Sequence, residues 1–272
     1  VAFVLPVVLS SFANRSIDQN PDFVVGGGIG GLMFFLFALV TVMNSISGEF
    51  ESGTVVPLLT KPVSRTMVFL GKLFAAFLTL LATYTVLYVY MAIGGTIVYG
   101  PQNNLHLLPI NLFGSILSTF VWVSIVLAIG SLSKSSMIVA IGAVAIFLAL
   151  FIGAPIVSMF SEQAWVLTYV PGNGASGYIK GLGSQTPYTP GMAVSTGTDN
   201  IASNLINYIL YPSANVTFFN ISTLPRTSPQ WIELSTEPLS IFLFRSLMVA
   251  TTYIAVFASM AWYALKRAQV LE

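Results

Sequence analysis

Five stretches of this chain are long and apolar enough to cross a lipid bilayer, which removes most folds from consideration. They run roughly over Phe23–Met43, Leu73–Val98, Leu112–Leu132, Met137–Phe160 and Leu239–Leu265. A bilayer core takes about 20 apolar residues per helix. Backbone polar groups at that depth must be satisfied internally, which leaves helices or closed barrels. The runs lack the apolar/polar alternation of barrel strands and exceed their length of about ten residues, so they read as helices. Val1–Phe12 (VAFVLPVVLSSF) looks like the remnant of a sixth. Its Pro6 kink is tolerable where neighbouring helices satisfy the freed carbonyl. Because the chain starts inside an apolar run without a Met, the beginning of that first span and any preceding segment are expected to be missing. The expected fold is an all-α membrane protein with six transmembrane helices, the first truncated.

Only 7% of the 272 residues are charged, against roughly a quarter in soluble domains, so each charge carries topological information. The net charge of +1 offers no basic stripe for phosphates, and a nucleic-acid partner is not expected. The absence of cysteine removes disulfides, zinc–thiolate sites and thiol redox chemistry, and no metal site is expected. Lys and Arg gather on the cytoplasmic side of membrane proteins. If the first span runs outward, the inner segments hold Lys61, Arg65, Lys72, Lys134, Lys266 and Arg267. The longer outer segments then hold Arg15, Lys180 and Arg226. The opposite orientation would put the Lys266–Arg267 pair outside. A multi-pass plasma-membrane protein with both termini cytoplasmic follows as the expectation. Residues 1–160 then hold spans one to five and an inner loop at 44–72, residues 161–238 form an extracellular segment, and residues 239–272 hold the last span and tail.

That outer segment is rich in Gly, Pro, Ser, Thr and Asn and reads as a loop or small cap between helices five and six. Ile201, Leu205, Ile206, Ile209 and Leu210 recur at helical spacing until Pro212, which predicts one short amphipathic helix. Trp165, Tyr169, Tyr178, Tyr188, Tyr208, Tyr211 and Trp231 could build a small core or line the membrane interface. Structureless loops of this length in compact proteins are usually functional or disordered. Three Asn-x-Ser/Thr strings, at Asn14, Asn215 and Asn220, fall on the same outer face and are candidate glycosylation acceptors.

The inner loop is the most charged part of the chain: Gly48–Lys72 reads GEFESGTVVPLLTKPVSRTMVFLGK. Ile46, Phe50, Thr54 and Leu58 fall one turn apart, predicting an amphipathic helix over Ile46–Thr60 along the inner surface. Glu49 and Glu51 sit in its first turn, where acids suit the positive helix end. Pro62 stops it, and Ser64 can cap the next helix from Arg65. Gly53 permits close approach of another backbone. In order and spacing, Glu51-x-Gly53-Thr54, then Leu58-Leu59, then Pro62-x-Ser64-Arg65, then Lys72, resemble the first cytoplasmic loop of ABC-2 type permeases. The branch that helps mature nitrous oxide reductase is similar. Val55–Val56 stands where that family more usually has a Leu. The motif covers ~25 residues, while the resemblance in topology extends over the chain. An ordinary charged inter-span loop remains the alternative reading.

The resemblance implies a coupling helix where a separate ABC ATPase subunit docks, through Glu49, Glu51, Gly53, Thr54, Leu58, Leu59, Pro62, Ser64, Arg65 and Lys72. It also implies a second permease copy or a close homologue as partner. The chain has no G-x-x-x-x-G-K-[ST] string: Gly71–Lys72 runs into Leu73 without the upstream glycine. It therefore has no phosphate-cradling loop and is not itself expected to be an ATPase or to hold a cofactor. ATP and Mg would be bound by the partner.

The string GGGIGG places Gly26 and Gly30, and Gly27 and Gly31, four apart, as in close helix–helix packing in lipid. A subunit interface, a flexible outer end beside a pathway, and packing within the chain all remain open. Arg245 lies about two turns inside the last span, where it can snorkel or pair with Glu237, Glu233 or Asp22. His106, in a short outer loop, reads as solvated or interfacial. No acid or His falls near a span centre, which argues against an ion-coupled pump or a membrane hydrolase. Phe34, Phe35, Phe37, Tyr84, Tyr88, Tyr90, Trp122, Phe147 and Phe151 suit an amphiphilic cargo or contact with membrane lipid equally well. The expected function is a permease of an ATP-driven exporter. The alternative is a mechanotransducer or assembly factor acting on an extracellular partner protein.

Overall fold

The computed structural model describes residues 21–26, 30–52, 64–133, 135–161, 164–182, 191–222 and 230–267. Val1–Phe12, Asn14, Gly27 and residues 53–63 lie outside these. Among the described residues, helix α1 covers Phe23–Gly26, α2 Gly31–Val42, α3 Ser47–Glu51 and α4 Arg65–Tyr99. They are followed by α5 Leu108–Leu132, α6 Ser136–Leu148 and α7 Ala154–Ser161, the last two joined by a π-helical turn at Ala149–Gly153. Strands β1 Ser176–Lys180 and β2 Gly191–Ser195 precede α8 Ile201–Leu210, then β3 Asn215–Ser222, β4 Gln230–Pro238 and α9 Leu239–Arg267.

Five helical stretches among the described residues are long and apolar enough to span a membrane: Gly31–Glu49, Arg65–Tyr99, Leu105–Leu132, Ser136–Val157 and Leu239–Arg267. They correspond to the five full runs of the sequence, with shifted ends. Gly30 is extended and outside the helix, so the first of them starts at Gly31 rather than near Phe23. Helix α4 starts eight residues before its apolar run, where Ser64 Oγ accepts the Met67 amide at 3.2 Å and caps the first turn. At 1.5 Å per residue it is ~52 Å long, well beyond a ~30 Å hydrocarbon core.

Helix α5 is the axis of the bundle. In its most apolar window 72% of residues are buried, against 17% for α4. Around it, Phe35, Trp122 and Phe147 interlock, with ring centroids 4.3 to 5.4 Å apart. Its small polar side chains are satisfied locally or by tyrosines of α4. Tyr84 and Thr119 share a 2.5 Å hydrogen bond. Tyr88 donates to Asn111 at 3.0 Å and meets Ser115 at 2.6 Å.

The all-α expectation holds for the membrane part only. The segment between α7 and α9 carries a four-stranded antiparallel sheet in the order β2-β1-β3-β4. Its inner face is built by Ala175, Ile179, Val194, Val216 and Phe218. Two residues from the start of α9, Leu239 and Phe242, complete that core. The predicted amphipathic helix is present as α8. It seats on α5 where Gly114 faces Ala202 so closely that any Cβ would collide with the Ala202 backbone. Small residues admit such contacts between helices.

Candidate coupling site and its opposite end

At one end of the bundle, the charged residues singled out by the loop motif are tied to the ends of several helices. Lys72, in the second turn of α4, pairs with Glu49 of α3 at 2.7 Å and also donates to the Ser45 carbonyl. The exit of one span and the entry of the next are thereby pinned together. Glu51 accepts the backbone amide of Ser136 at 2.8 Å and the Ser136 hydroxyl. It thus caps α6, a helix to which its own sequence neighbourhood gives no clue. The Ser136 hydroxyl, then its amide, then the Ser135 hydroxyl hold the Glu51 carboxyl below the usual carboxylate range.

Arg65 donates to the Lys266 carbonyl at 2.8 Å and to that of Leu265 at 3.5 Å. One residue on, Thr66 accepts the indole N–H of Trp262 at 3.1 Å. Glu49, Glu51, Ser64, Arg65 and Lys72 therefore gather where the ends of α3, α4, α6 and α9 meet. Gly53, Thr54, Leu58, Leu59 and Pro62 lie outside the described residues. Of the predicted Ile46–Thr60 helix, the described part is Ser47–Glu51.

The opposite end, carrying the sheet, holds a residue that the sequence did not single out. Asp199 lies in a single turn, Thr198–Asn200, before α8 and is only 8% exposed. Thr198 Oγ1 donates to its Oδ1 at 3.2 Å. Its Oδ2 occupies the space a Cβ at Gly31 would need and faces the Trp122 indole without a well-formed hydrogen bond. Desolvation pushes the carboxyl up to about 6, against smaller downward effects of Thr198, Trp122 and the Gly172 backbone. The first residue of α2 lies beside it, at the helix end that favours negative charge. An Asp just before an amphipathic helix ordinarily reads as an N-cap, and nothing local in the sequence signals its burial against Gly31 and Trp122.

The surrounding turn is anchored on all sides. Ser118 of α5 donates to the Thr198 carbonyl at 2.7 Å, Ser246 of α9 to the Thr196 carbonyl at 2.6 Å, and Thr168 and Thr196 share a 3.0 Å bond. Gly31 thus admits a carboxyl group. Gly30 has open space around its Cβ position and, being extended, does not share a helix with Gly26.

Arg245 pairs with Glu237 of β4 at 2.9 Å, one of the three acids open to it from sequence. Below it, Tyr169, Met248, Val249, Tyr253, Val256 and Phe257 line an apolar groove of about 490 Å³. The Tyr253 hydroxyl donates to the Tyr169 carbonyl at 2.8 Å. Asn215 is exposed at the start of β3, with Thr217 of the same string buried and bonded to Thr236 at 3.1 Å.

Residues 2–270 match the family described as ABC-2 family transporter protein. No curated protein matches the chain closely enough to be named as a relative. With nearly its whole length matched, the chain belongs to the ABC-2 transporter family, whose members are membrane components and not themselves the ATPases.

Proposed function

We propose that this chain is the permease subunit of an ABC exporter. A separate ATPase docks on the 44–72 loop, and its hydrolysis drives outward movement of substrate. The observation that carries this reading is the convergence of four helix ends on the residues of the loop motif. Force applied there reaches α3, α4, α6 and α9 at once. Motif residues outside the described region, Gly53, Thr54, Leu58, Leu59 and Pro62, would complete the docking surface. ATP and Mg belong to the ATPase. A second copy of the chain, or a close homologue, completes the assembly. Lys and Arg at the loop end support placing that end in the cytoplasm and the sheet outside.

The direct test is purification of the tagged full chain from its native membrane. An ATPase recovered in equal amount, together with ATP-dependent uptake into inverted vesicles, is the expected result. Absence of any ATPase would overturn the reading. A second reading, force transmission to an extracellular partner without solute export, is favoured by one observation: the last span begins inside the core of the sheet. An additional extracellular protein in the same preparation, with no export, would select it. Labelling Ser213→Cys in intact cells with an impermeant thiol reagent tests the orientation of both. Reaction only after permeabilisation would invert it.

A further inference from the structure

We infer that Arg65 is a positioning residue that ties the coupling loop to the last span, and that α9 carries the loop's displacement directly into the sheet at the other end. The inference rests on the permease reading above and concerns how motion leaves the loop.

The tie is chemically specific. The last carbonyls of a helix have no intrahelical donor, and that end carries partial negative charge. The Arg65 guanidinium meets both needs at the end of α9, donating to Lys266 and Leu265. The Thr66–Trp262 bond adds a second tie one residue along α4 and one turn back along α9. Two adjacent residues of α4 thus grip two successive turns of α9, so the start of one helix cannot shift without the end of the other.

From there α9 runs 29 residues without a Gly or Pro. Sharp kinks nearly always arise at such residues, at π-bulges or at inserted side chains, so the helix behaves as a rod of ~44 Å. At its far end there is no linker. Pro238 closes β4 and Leu239 opens α9. The Leu239 amide donates to the Ala214 carbonyl at 2.9 Å. Leu239 and Phe242 lie in the sheet core, and Phe218 packs on Phe242 with centroids 5.8 Å apart. Arg245 clamps Glu237 of β4, and Ser246 holds the Thr196 carbonyl. A displacement entering at Arg65 therefore arrives at β4 without slack.

The test uses the whole complex in lipid nanodiscs. The chain has no cysteine, so Ser235→Cys on β4 and Leu105→Cys at the start of the Leu105–Leu132 span can be spin-labelled cleanly; both positions are exposed. The distance between labels is measured without nucleotide and after trapping with ATP and vanadate. Arg65→Gln, Arg65→Lys and Thr66→Val are compared in samples carrying the ATPase at the wild-type ratio. The wild type is expected to change this distance on trapping. Arg65→Gln should reduce the change at least threefold, Arg65→Lys should retain most of it because the ammonium still donates, and Thr66→Val should fall between. A full change in Arg65→Gln overturns the inference. So does equal loss in the Gln and Lys variants, which would mark a residue needed only for assembly. An ATPase that accompanies the wild type while the sheet stays still overturns this inference alone. An ATPase that never accompanies it overturns the permease reading as well.

Discussion

The two ends of the molecule are held together by opposite kinds of interaction. At the loop end the ties are ionic or charge-assisted, and they join helix ends that are partly or fully exposed: Glu49 to Lys72, Glu51 to Ser136, Arg65 to the α9 carbonyls. At the sheet end they are buried: Phe218 on Phe242, Ala202 on Gly114, Asp199 against Gly31 and Trp122. Exposed ion pairs contribute roughly 0–1 kcal/mol each. Removing a buried aromatic costs several times more. One end is thus joined by ties that are each cheap to alter and the other by ties that are not, a division that suits the proposed transfer of force from the loop to the sheet.

The largest expected effect tests the buried end. Phe242→Ala empties the junction of sheet and last span, and should cost about 3–5 kcal/mol, read as a lower thermal midpoint in detergent. A midpoint within 2 °C of wild type would mean that the two parts are not joined there.

Asp199 comes next. Its carboxyl has an ordinary value of 3.8 and is raised to about 6 where it is buried. The neutral acid is the form the folded site prefers. Its stabilising contribution is therefore complete below about pH 4 and is lost as pH rises through about 6, a change of about 3 kcal/mol across that window. Thermal midpoints measured between pH 4 and 7 should fall with pH in the wild type. They should fall less in Asp199→Asn, and parallel curves would sink the assignment. Gly114→Val, which forces a side chain against the Ala202 backbone, should cost about 1–3 kcal/mol and speed amide exchange in α8 specifically. The smallest effect sharpens the contrast from the other side. Glu49→Gln should change stability by less than about 1 kcal/mol. Under the proposed function it should still lower transport per ATP hydrolysed, and a large stability loss would show that the loop end is as rigid as the sheet end.

What could be read from the sequence follows from how local each signal is. The spans and α8 declare themselves through runs and spacings of their own residues, and Ser64 caps the helix that follows it immediately. The sheet left little trace. β1 buries Gly177, Tyr178 and Ile179 in succession, so its five residues lack the alternation that marks a half-buried strand. The roles of the charged residues were legible only as a cluster. Glu51 reads as a first-turn acid of its own helix and instead caps α6. Arg65 finds its acceptor 201 residues away. Asp199 is invisible for the same reason, since its burial depends on a glycine at the start of a distant helix.

The π turn at Ala149–Gly153 gives the Ser136–Val157 span a further property. A buried stripe runs every fourth residue along Val139, Ala143 and Phe147 and ends at the exposed Phe151. At this turn the Leu150 carbonyl accepts both the Ala154 backbone amide and, at 2.6 Å, the Asn173 side chain. One additional residue per turn rotates everything beyond it by about 100°, as a skipped thread offsets the upper part of a screw. The two halves of this span therefore face different neighbours, α6 lying against α5, α2 and α3, and α7 against the turn at Ala164–Tyr169.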